Sequence, residues 1–217
     1  MNVEQARFNM IEQQIRPWDV LDAGVLSLLS MMRREDFVPA AYRSLAFVDA
    51  EVPLLDGQVM LAPRVEARLL QEARVHRHEV VLEIGTGSGF MAALLSHKAR
   101  SVVTLEIRPA LVQMASANLR RAGVANVSVQ QGDGVGGRPG LGPFDAILLS
   151  GSVAAVPPGL LDQLKPGGRV LAIVGHEPVM TAQRITRGHD GTFSTEILFD
   201  TVAPRLDGFG EPSAFQF

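Results

Sequence analysis

The pattern of hydrophobic and polar positions changes near residue 79. Before that point apolar residues recur at helical spacing, as in the face of Phe8, Ile11 and Ile15, which Pro17 ends. After it, short apolar runs alternate with amphipathic stretches. This alternation is typical of an α/β domain whose mostly parallel sheet is covered on both faces. We therefore expect a helical extension with an acceptor segment over residues 1–78, followed by a core over residues 79–217.

Capping residues locate two further helices in the N-terminal part. Asp22 is a favourable N-cap and predicts a helix that begins beside it. Pro63 predicts another helix, because proline suits the first helical turn. The segment between these two helices, residues 34–62, has the composition of loops and short turns.

The core is predicted to alternate strands with helices. Strands are expected near residues 80–84, 101–106, 126–131, 144–149 and 169–174, and helices near 89–98, 109–122 and 158–164. Two later runs that favour strands, VMTAQRIT and TFSTEILFD, flank the turn RGHDG and predict an antiparallel pair at the sheet edge. Ligands of such sheets bind at the carboxyl ends of the strands.

A glycine-rich turn follows the first core strand, where residues 80–90 read VVLEIGTGSGF. The spacing of Gly85, Gly87 and Gly89 is G-x-G-x-G, whereas dinucleotide sites have G-x-G-x-x-G. Glu83 would repel a pyrophosphate beside this turn but would attract an ammonium or sulfonium ion. Glycine-rich turns are common, so this stretch alone leaves a nicotinamide dinucleotide open.

Two other strand ends also carry carboxylates. Glu106 ends the second core strand, where it can accept hydrogen bonds from both hydroxyls of a ribose. Asp133 lies in a Gly-Asp-Gly turn after the third strand and can accept from an adenine amino group. With Glu83, these positions predict S-adenosylmethionine, whose tail carboxylate the backbone N–H groups of the glycine turn would bind.

Composition and charge exclude several classes of protein. The 217 residues carry a net charge of −3 with scattered basic side chains, so we predict no nucleic-acid partner. No apolar run reaches the ~20 residues of a membrane span, and the N-terminus lacks the apolar stretch of a secretory signal. We therefore predict a cytoplasmic protein without a membrane partner. The chain has no cysteine and no histidine cluster, so we predict no metal.

The class I methyltransferases show motifs that resemble five successive stretches of the chain: VVLEIGTGSGF, SVVTLEI, QQGDG, FDAILLSG and LKPGGRVLAIVG. The N-terminal stretch RREDFVPAAYRSLAFVDAEVPL, with the following GQ and AP, resembles the protein-L-isoaspartate O-methyltransferase family. The resemblance covers roughly residues 15–200. It implies a Rossmann-like, doubly wound, mostly parallel seven-stranded sheet with an N-terminal helical extension.

The same resemblance implies an activity in protein repair. It predicts the transfer of a methyl group from S-adenosylmethionine to the free carboxylate of an isoaspartyl residue in a damaged protein, with S-adenosylhomocysteine as product. It also carries cofactor contacts onto Glu83, Gly85, Thr86, Gly87, Ser88, Gly89, Glu106, Ile107, Asp133 and Gly134. Gly57, Gln58 and Pro63 match the family's acceptor segment, in which Gln58 and Leu61 are the candidate catalytic positions.

The acceptor side departs from the family's pattern. Val59, Met60 and Leu61 stand where the family has Thr-Ile-Ser, so both hydroxyls are missing. Residues 201–206, TVAPRL, stand where the family has a Phe-Val-Pro-Leu run that helps to bind substrate.

Three functions stay open on the sequence: an isoaspartyl methyltransferase, a methyltransferase with a changed acceptor, and a protein that binds the cofactor without turnover. A carboxylate acceptor is already ionised near neutral pH, so the lack of an evident general base does not exclude catalysis.

Overall fold

The computed structural model describes residues 2–210. In chain order its helices and strands are α1 (Val3–Met10), α2 (Ala23–Met31), β1 (Val52–Pro53), β2 (Val59–Met60), α3 (Pro63–Ala73), β3 (Val80–Ile84), α4 (Phe90–Lys98), β4 (Ser101–Glu106), α5 (Pro109–Arg121), β5 (Val127–Gln131), β6 (Phe144–Val153), α6 (Pro158–Leu161), β7 (Leu164–His176), β8 (Val179–Arg187) and β9 (Phe193–Asp200). Short π and 3-10 turns occupy Ile11–Ile15, Arg16–Trp18, Arg34–Asp36, Ala40–Leu45 and Leu55–Gly57.

Seven strands form one sheet in the order β5-β4-β3-β6-β7-β8-β9. The pairs from β5 to β7 are parallel, while β8 pairs antiparallel with both β7 and β9. The predicted mostly parallel seven-stranded sheet with an antiparallel edge is therefore confirmed. The chain runs outward from β3 to β5 and then returns to β6, so a crevice opens at the carboxyl ends of β3 and β6.

The sheet buries apolar side chains on both faces. Because successive strand residues point to opposite faces, Val81 belongs to one apolar cluster and Leu82 to another. The cluster of Val81 also contains residues of α2, α3 and α4. Residues of the N-terminal part and of the sheet therefore share one core, and the division of the chain at residue 79 stays a prediction.

The helix starts that capping residues predicted are confirmed. Asp22 caps α2 by accepting a hydrogen bond from the backbone N–H of Val25 at 2.8 Å. Pro63 occupies the first turn of α3. The first helical face is less regular than expected, because Phe8 is 58% exposed while Ile15 is fully buried. Ile11 is buried like Ile15, so the predicted face holds across the π turn of Ile11–Ile15 and fails only at Phe8.

Two other predicted bounds are wrong. Helix α6 ends at Leu161, and β7 begins at Leu164, where the prediction had a helix to residue 164 and a strand from 169. A register shift between Phe144 and Ala146 lets β6 pair with this earlier start of β7, which a local pattern does not reveal. The predicted loops of residues 34–62 also contain the antiparallel pair of β1 and β2.

No helix within residues 2–210 is both long enough and apolar enough to cross a membrane. The cytoplasmic location stays a prediction.

Candidate active site

The glycine turn connects β3 to α4 with backbone angles that favour glycine. Gly85, Gly87 and Gly89 have φ values of +89°, +53° and +84°. The backbone N–H of Gly85 donates to the carbonyl of Leu105 at 2.9 Å, which fixes the turn against the end of β4.

The three glycines serve different purposes, as the space around each shows. A Cβ on Gly89 would lie 3.3 Å from Ala115, so this glycine lets α4 pack closely on α5. A Cβ on Gly85 would lie 2.7 Å from the Leu206 side chain. At Gly87 a Cβ would meet only the side chain of Leu54, at 3.4 Å. A side chain at Gly87 is thus disfavoured by the left-handed backbone conformation rather than by steric crowding.

Glu106 holds the turn from the side of β4. Its Oε2 accepts from the backbone N–H of Gly87 at 2.9 Å, and its Oε1 accepts from that of Arg108 at 3.0 Å. The side chain is buried except for 5% of its surface. A carboxylate offers about four lone-pair positions, so two remain for hydroxyl donors of a ligand.

Glu83 is fully buried between two hydroxyl groups. Its Oε1 accepts from Ser150 Oγ at 2.8 Å and its Oε2 accepts from Thr104 Oγ1 at 2.7 Å. The pKa of Glu83 is raised to about 8, chiefly by burial and in smaller part by the charges of Glu66 and Glu106. The hydrogen bonds from Thr104 and Ser150 oppose this rise. No cationic side chain within residues 2–210 forms an ion pair with it. The site therefore suits a ligand that brings its own positive charge.

Two adjoining clefts lie at the carboxyl ends of the strands. We call the first the Glu106 cleft; its empty space, open solvent included, is about 490 Å³, and its lining includes Gln58, Glu106, Ile107, Gly132, Gly134, Leu206 and Asp207. We call the second the Leu61 cleft; its empty space, open solvent included, is about 320 Å³, and its lining includes Leu54, Val59, Met60, Leu61, Glu83, Thr86 and Ser88. Both clefts are open to solvent.

A late segment of the chain covers the Glu106 cleft. The carbonyl of Pro204 accepts from the backbone N–H of Ser152 at 2.8 Å, and the N–H of Leu206 donates to the carbonyl of Ser152 at 2.9 Å. Arg108 joins this segment to the acceptor segment: it pairs with Asp207 at 2.7 Å, and it donates to Gln58 at 3.2 Å once the Gln58 amide is turned so that its oxygen faces Arg108. Three remote parts of the chain therefore meet over one cleft.

Arg34 fixes the acceptor segment from beneath. This side chain is 1% exposed and donates from Nη2 to the carbonyl of Leu61 at 2.7 Å and from Nε to that of Ala46 at 3.0 Å. It also forms a buried ion pair with Glu66. Burial raises the pKa of the Glu66 carboxyl, an effect that the charge and hydrogen bond of Arg34 oppose. The backbone of Leu61 is thus held by a charged group that makes no contact with solvent.

Most of the residues predicted from the sequence meet at these clefts. Gln58, Gly85, Gly87, Glu106, Ile107 and Gly134 line the Glu106 cleft, and Leu61, Glu83, Gly85, Thr86, Gly87 and Ser88 line the Leu61 cleft. Two predicted residues line neither. Gly89 lies in the contact of α4 with α5, and Asp133 is exposed, with Oδ1 accepting from the backbone N–H of Val135 at 3.0 Å.

Sequence reasoning missed Arg34, Ser150 and Asp207 as parts of the site, whereas Leu206 lies in the stretch 201–206 that it compared with the family's substrate-binding run. Their partners lie far away in the chain, so no local spacing marks them. No group of three or more histidine, aspartate or glutamate side chains suited to a metal occurs in the described part of the chain. The prediction of a metal-free site stays a prediction.

Comparison with known proteins places these features in a family. The family model described as protein-L-isoaspartate(D-aspartate) O-methyltransferase matches residues 5–202. A protein-L-isoaspartate O-methyltransferase of Methanoculleus marisnigri is 40% identical over 169 residues, which are 78% of this chain and 77% of that protein. One from Myxococcus xanthus is 45% identical over 156 residues, 72% of this chain and 74% of that protein.

Solved structures agree with the fold. A structure named protein-L-isoaspartate O-methyltransferase superposes with a TM-score of 0.79 at 24% identity and covers 94% of this chain and 66% of that chain. A structure from Plasmodium falciparum, assigned to the same enzymes and solved with S-adenosyl-L-homocysteine, gives a TM-score of 0.76 at 20% identity, over 95% and 99% of the two chains. Both are similar to this chain in architecture.

Proposed function

Because the chain belongs to the protein-L-isoaspartate(D-aspartate) O-methyltransferase family, we propose that it transfers a methyl group from S-adenosylmethionine to the free carboxylate of an isoaspartyl residue in a protein or peptide. The observation that carries this proposal is a family match over residues 5–202, which includes both the strand ends and the acceptor segment. It favours an isoaspartyl acceptor over a changed acceptor or a protein without turnover.

The residues at the two clefts fit S-adenosylmethionine by their chemistry. Glu106 has two lone-pair positions free for ribose hydroxyls after binding Gly87 and Arg108. Glu83 has no cationic partner among the described residues, so it can face the positive groups of the cofactor. The backbone N–H groups of Gly85, Thr86, Gly87 and Gly89 already donate within the protein. The first N–H groups of α4, which have no helical carbonyl partner, are the donors that suit the tail carboxylate. We propose Glu83, Glu106 and the glycine turn as the main cofactor contacts.

When bound, the cofactor supplies a methyl group on a positively charged sulfur; the acceptor oxygen forms the new bond to carbon, the carbon–sulfur bond breaks, and its electron pair stays on sulfur. The protein removes no proton in this reaction, because the acceptor carboxylate is ionised near neutral pH. Its own contribution is to align the acceptor, for which proximity effects amount to roughly 7–11 kcal/mol in favourable cases. Leu54, Val59 and Leu61 give the Leu61 cleft an apolar part of its lining.

We propose Gln58 and Leu61 as the acceptor-segment residues nearest to the reaction. Gln58 lines the Glu106 cleft, and Leu61 lines the Leu61 cleft with its carbonyl held by Arg34. The side chain of Leu61 cannot hydrogen-bond a carboxylate, so its role is to shape the cleft.

The test is the transfer of a labelled methyl group to an isoaspartyl peptide, beside the same peptide with a normal aspartyl residue. We expect a base-labile methyl ester on the isoaspartyl peptide alone. Binding of S-adenosylmethionine is measured by calorimetry in the same preparation. Cofactor binding without any methyl ester would contradict the proposed function and leave a binding protein, whereas equal labelling of both peptides would indicate a changed acceptor.

A further inference from the structure

Four residues line both clefts and so mark the place where the clefts meet. They are Val59, Gly85, Gly87 and Ser150. Two of them are glycines and the third has an apolar side chain. Ser150 is therefore the one residue of the four that presents a polar side chain to both clefts.

The position of Ser150 follows from the sheet. Strand β6 pairs with β3 as far as Leu149 opposite Ile84, and Ser150 is the next residue, where the two strands separate. A Cβ on Gly85 would lie 3.7 Å from the Ser150 carbonyl, so the glycine turn passes directly beside it. Ser150 is partly exposed, whereas Leu149 and Gly151 on either side of it are buried. Its hydroxyl thus reaches the crevice between β3 and β6, where ligands of such sheets bind.

The hydroxyl of Ser150 is engaged by Glu83 in the structure. Ser150 Oγ donates to Glu83 Oε1 at 2.8 Å, and a hydroxyl has a single proton to donate. A positively charged ligand group that donates to the same carboxylate oxygen satisfies Glu83 without Ser150. The O–H of Ser150 can then turn toward the Leu61 cleft, since this needs only rotation about a single bond.

A carboxylate acceptor in the Leu61 cleft needs a hydrogen-bond donor from the cleft lining. The acceptor segment and its neighbour contribute Leu54, Val59, Met60 and Leu61 to the lining, and their side chains donate no hydrogen bonds. Thr86 Oγ1 is already in contact with Thr104 Oγ1 at 2.6 Å, within the hydroxyl chain that leads to Glu83. Ser88 also lines this cleft, but among the described residues only Ser150 brings a hydroxyl to both clefts.

We propose that Ser150 Oγ–H donates a hydrogen bond to the acceptor carboxylate and holds it where the two clefts meet. This role rests on the proposed function, because it assumes a carboxylate acceptor. It makes Ser150 the side chain that contacts the substrate in place of a hydroxyl on the acceptor segment.

The experiment compares Ser150→Ala with Ser150→Thr in the full chain. We measure kcat and KM on an isoaspartyl peptide, the binding of that peptide to the protein loaded with S-adenosylhomocysteine, and the binding of S-adenosylmethionine. A hydrogen bond to a charged group corresponds to a loss of roughly 10- to 150-fold in kcat/KM for Ser150→Ala. We expect peptide affinity to fall with it, cofactor affinity to change by less than about threefold, and Ser150→Thr to keep most of the activity because its hydroxyl remains.

Ser152→Ala is the matched control. Ser152 lies on the same strand, is fully buried, and its Oγ has no hydrogen-bond partner among the described residues. We expect wild-type kinetics from this variant. Unchanged peptide binding and kcat/KM in Ser150→Ala would overturn the inference, as would an equal loss in Ser152→Ala. A wild-type protein that neither binds nor methylates the isoaspartyl peptide would overturn the proposed function together with this inference.

Discussion

The backbone N–H of Gly87 donates to Glu106 Oε2 at 2.9 Å, so the glycine turn after β3 is bound to the last residue of β4. Glu106 Oε1 accepts from the backbone N–H of Arg108 as well, and the carboxylate is held by two backbone donors. Its position therefore does not depend on a ligand. Under the proposed function, a ribose would meet an acceptor that is already oriented, which lowers the entropic cost of binding.

Replacement of Glu106 by alanine is expected to weaken the binding of S-adenosylmethionine. Hydrogen bonds to charged groups contribute about 1.5–3 kcal/mol, so we expect the dissociation constant to rise by roughly 10- to 150-fold. Calorimetry measures this directly. Glu106→Gln keeps an oxygen acceptor and should lose less. Wild-type affinity in Glu106→Ala would remove Glu106 from the cofactor site.

Gly87→Ala is expected to lose cofactor affinity through its backbone. Gly87 has φ +53° with only Leu54 near its missing Cβ, so alanine costs about 1–2 kcal/mol of conformational strain and shifts the turn. Gly123→Ala is the matched control, because Gly123 has φ +71° with no atom within 4 Å of its missing Cβ. Both variants should lose similar stability in chemical denaturation, and only Gly87→Ala should bind cofactor more than tenfold less tightly. Equal affinities in the two variants would contradict a role for the turn.

The buried carboxyl of Glu83 is expected to make stability depend on pH. Its pKa is raised from 4.5 to about 8, with Glu66 on α3 and Glu106 on β4 as its charged neighbours and Arg34 beyond Glu66. A raised acid pKa stabilises the fold fully below pH 4.5, and that contribution is lost as the pH rises toward 8. Glu83→Gln abolishes this titration. Relative to wild type, its free energy of unfolding should increase by about 1.4 kcal/mol for each pH unit crossed in that window.

The control for Glu83→Gln is Glu12→Gln, because Glu12 is exposed. Chemical denaturation without cofactor, at several pH values between 5 and 8, measures the free energy of unfolding of each variant relative to wild type. The difference between Glu12→Gln and wild type should stay constant with pH. If the difference for Glu83→Gln were equally constant, Glu83 would not titrate in this range.

Restoring hydroxyls to the acceptor segment is expected to increase turnover. Val59 and Leu61 line the Leu61 cleft without side-chain donors, so we expect Val59→Thr, Leu61→Ser to raise kcat/KM on an isoaspartyl peptide by at least about tenfold, the lower value for a hydrogen bond to a carboxylate. Leu61→Ala also shortens the buried side chain but adds no hydroxyl, and should give no gain. An unchanged or lower kcat/KM in the double variant would show that the missing hydroxyls do not limit the enzyme.

Much of the fold could be predicted because its signals are local. Asp22 and Pro63 mark helix starts by their own chemistry, and the apolar runs of β3 and β4 identify strands that are covered on both faces. The strand ends then located Glu83 and Glu106. The start of β7 at Leu164 was missed, because its pairing with Phe144 depends on a register shift between two strands.

The parts of the site that escaped prediction are those built by remote contacts. Arg34 reaches the carbonyl of Leu61 through the core, and nothing in the local pattern separates it from an exposed arginine such as Arg33. The role of Asp133 stays a prediction. Its turn suggested an adenine contact, but its side chain is exposed and lies outside both clefts.

The cover formed by residues 204–207 has a consequence for the order of folding. Leu206 reaches the turn at Gly85 although more than half of the chain separates them, and it arrives through backbone pairing with Ser152. Contacts between such distant residues form only after the intervening strands have been ordered, because closing a long loop costs chain entropy before any contact repays it. We therefore expect the Glu106 cleft to be among the last regions to fold and among the first to open. A local unfolding event at this segment would release the ligand while leaving the seven strands paired.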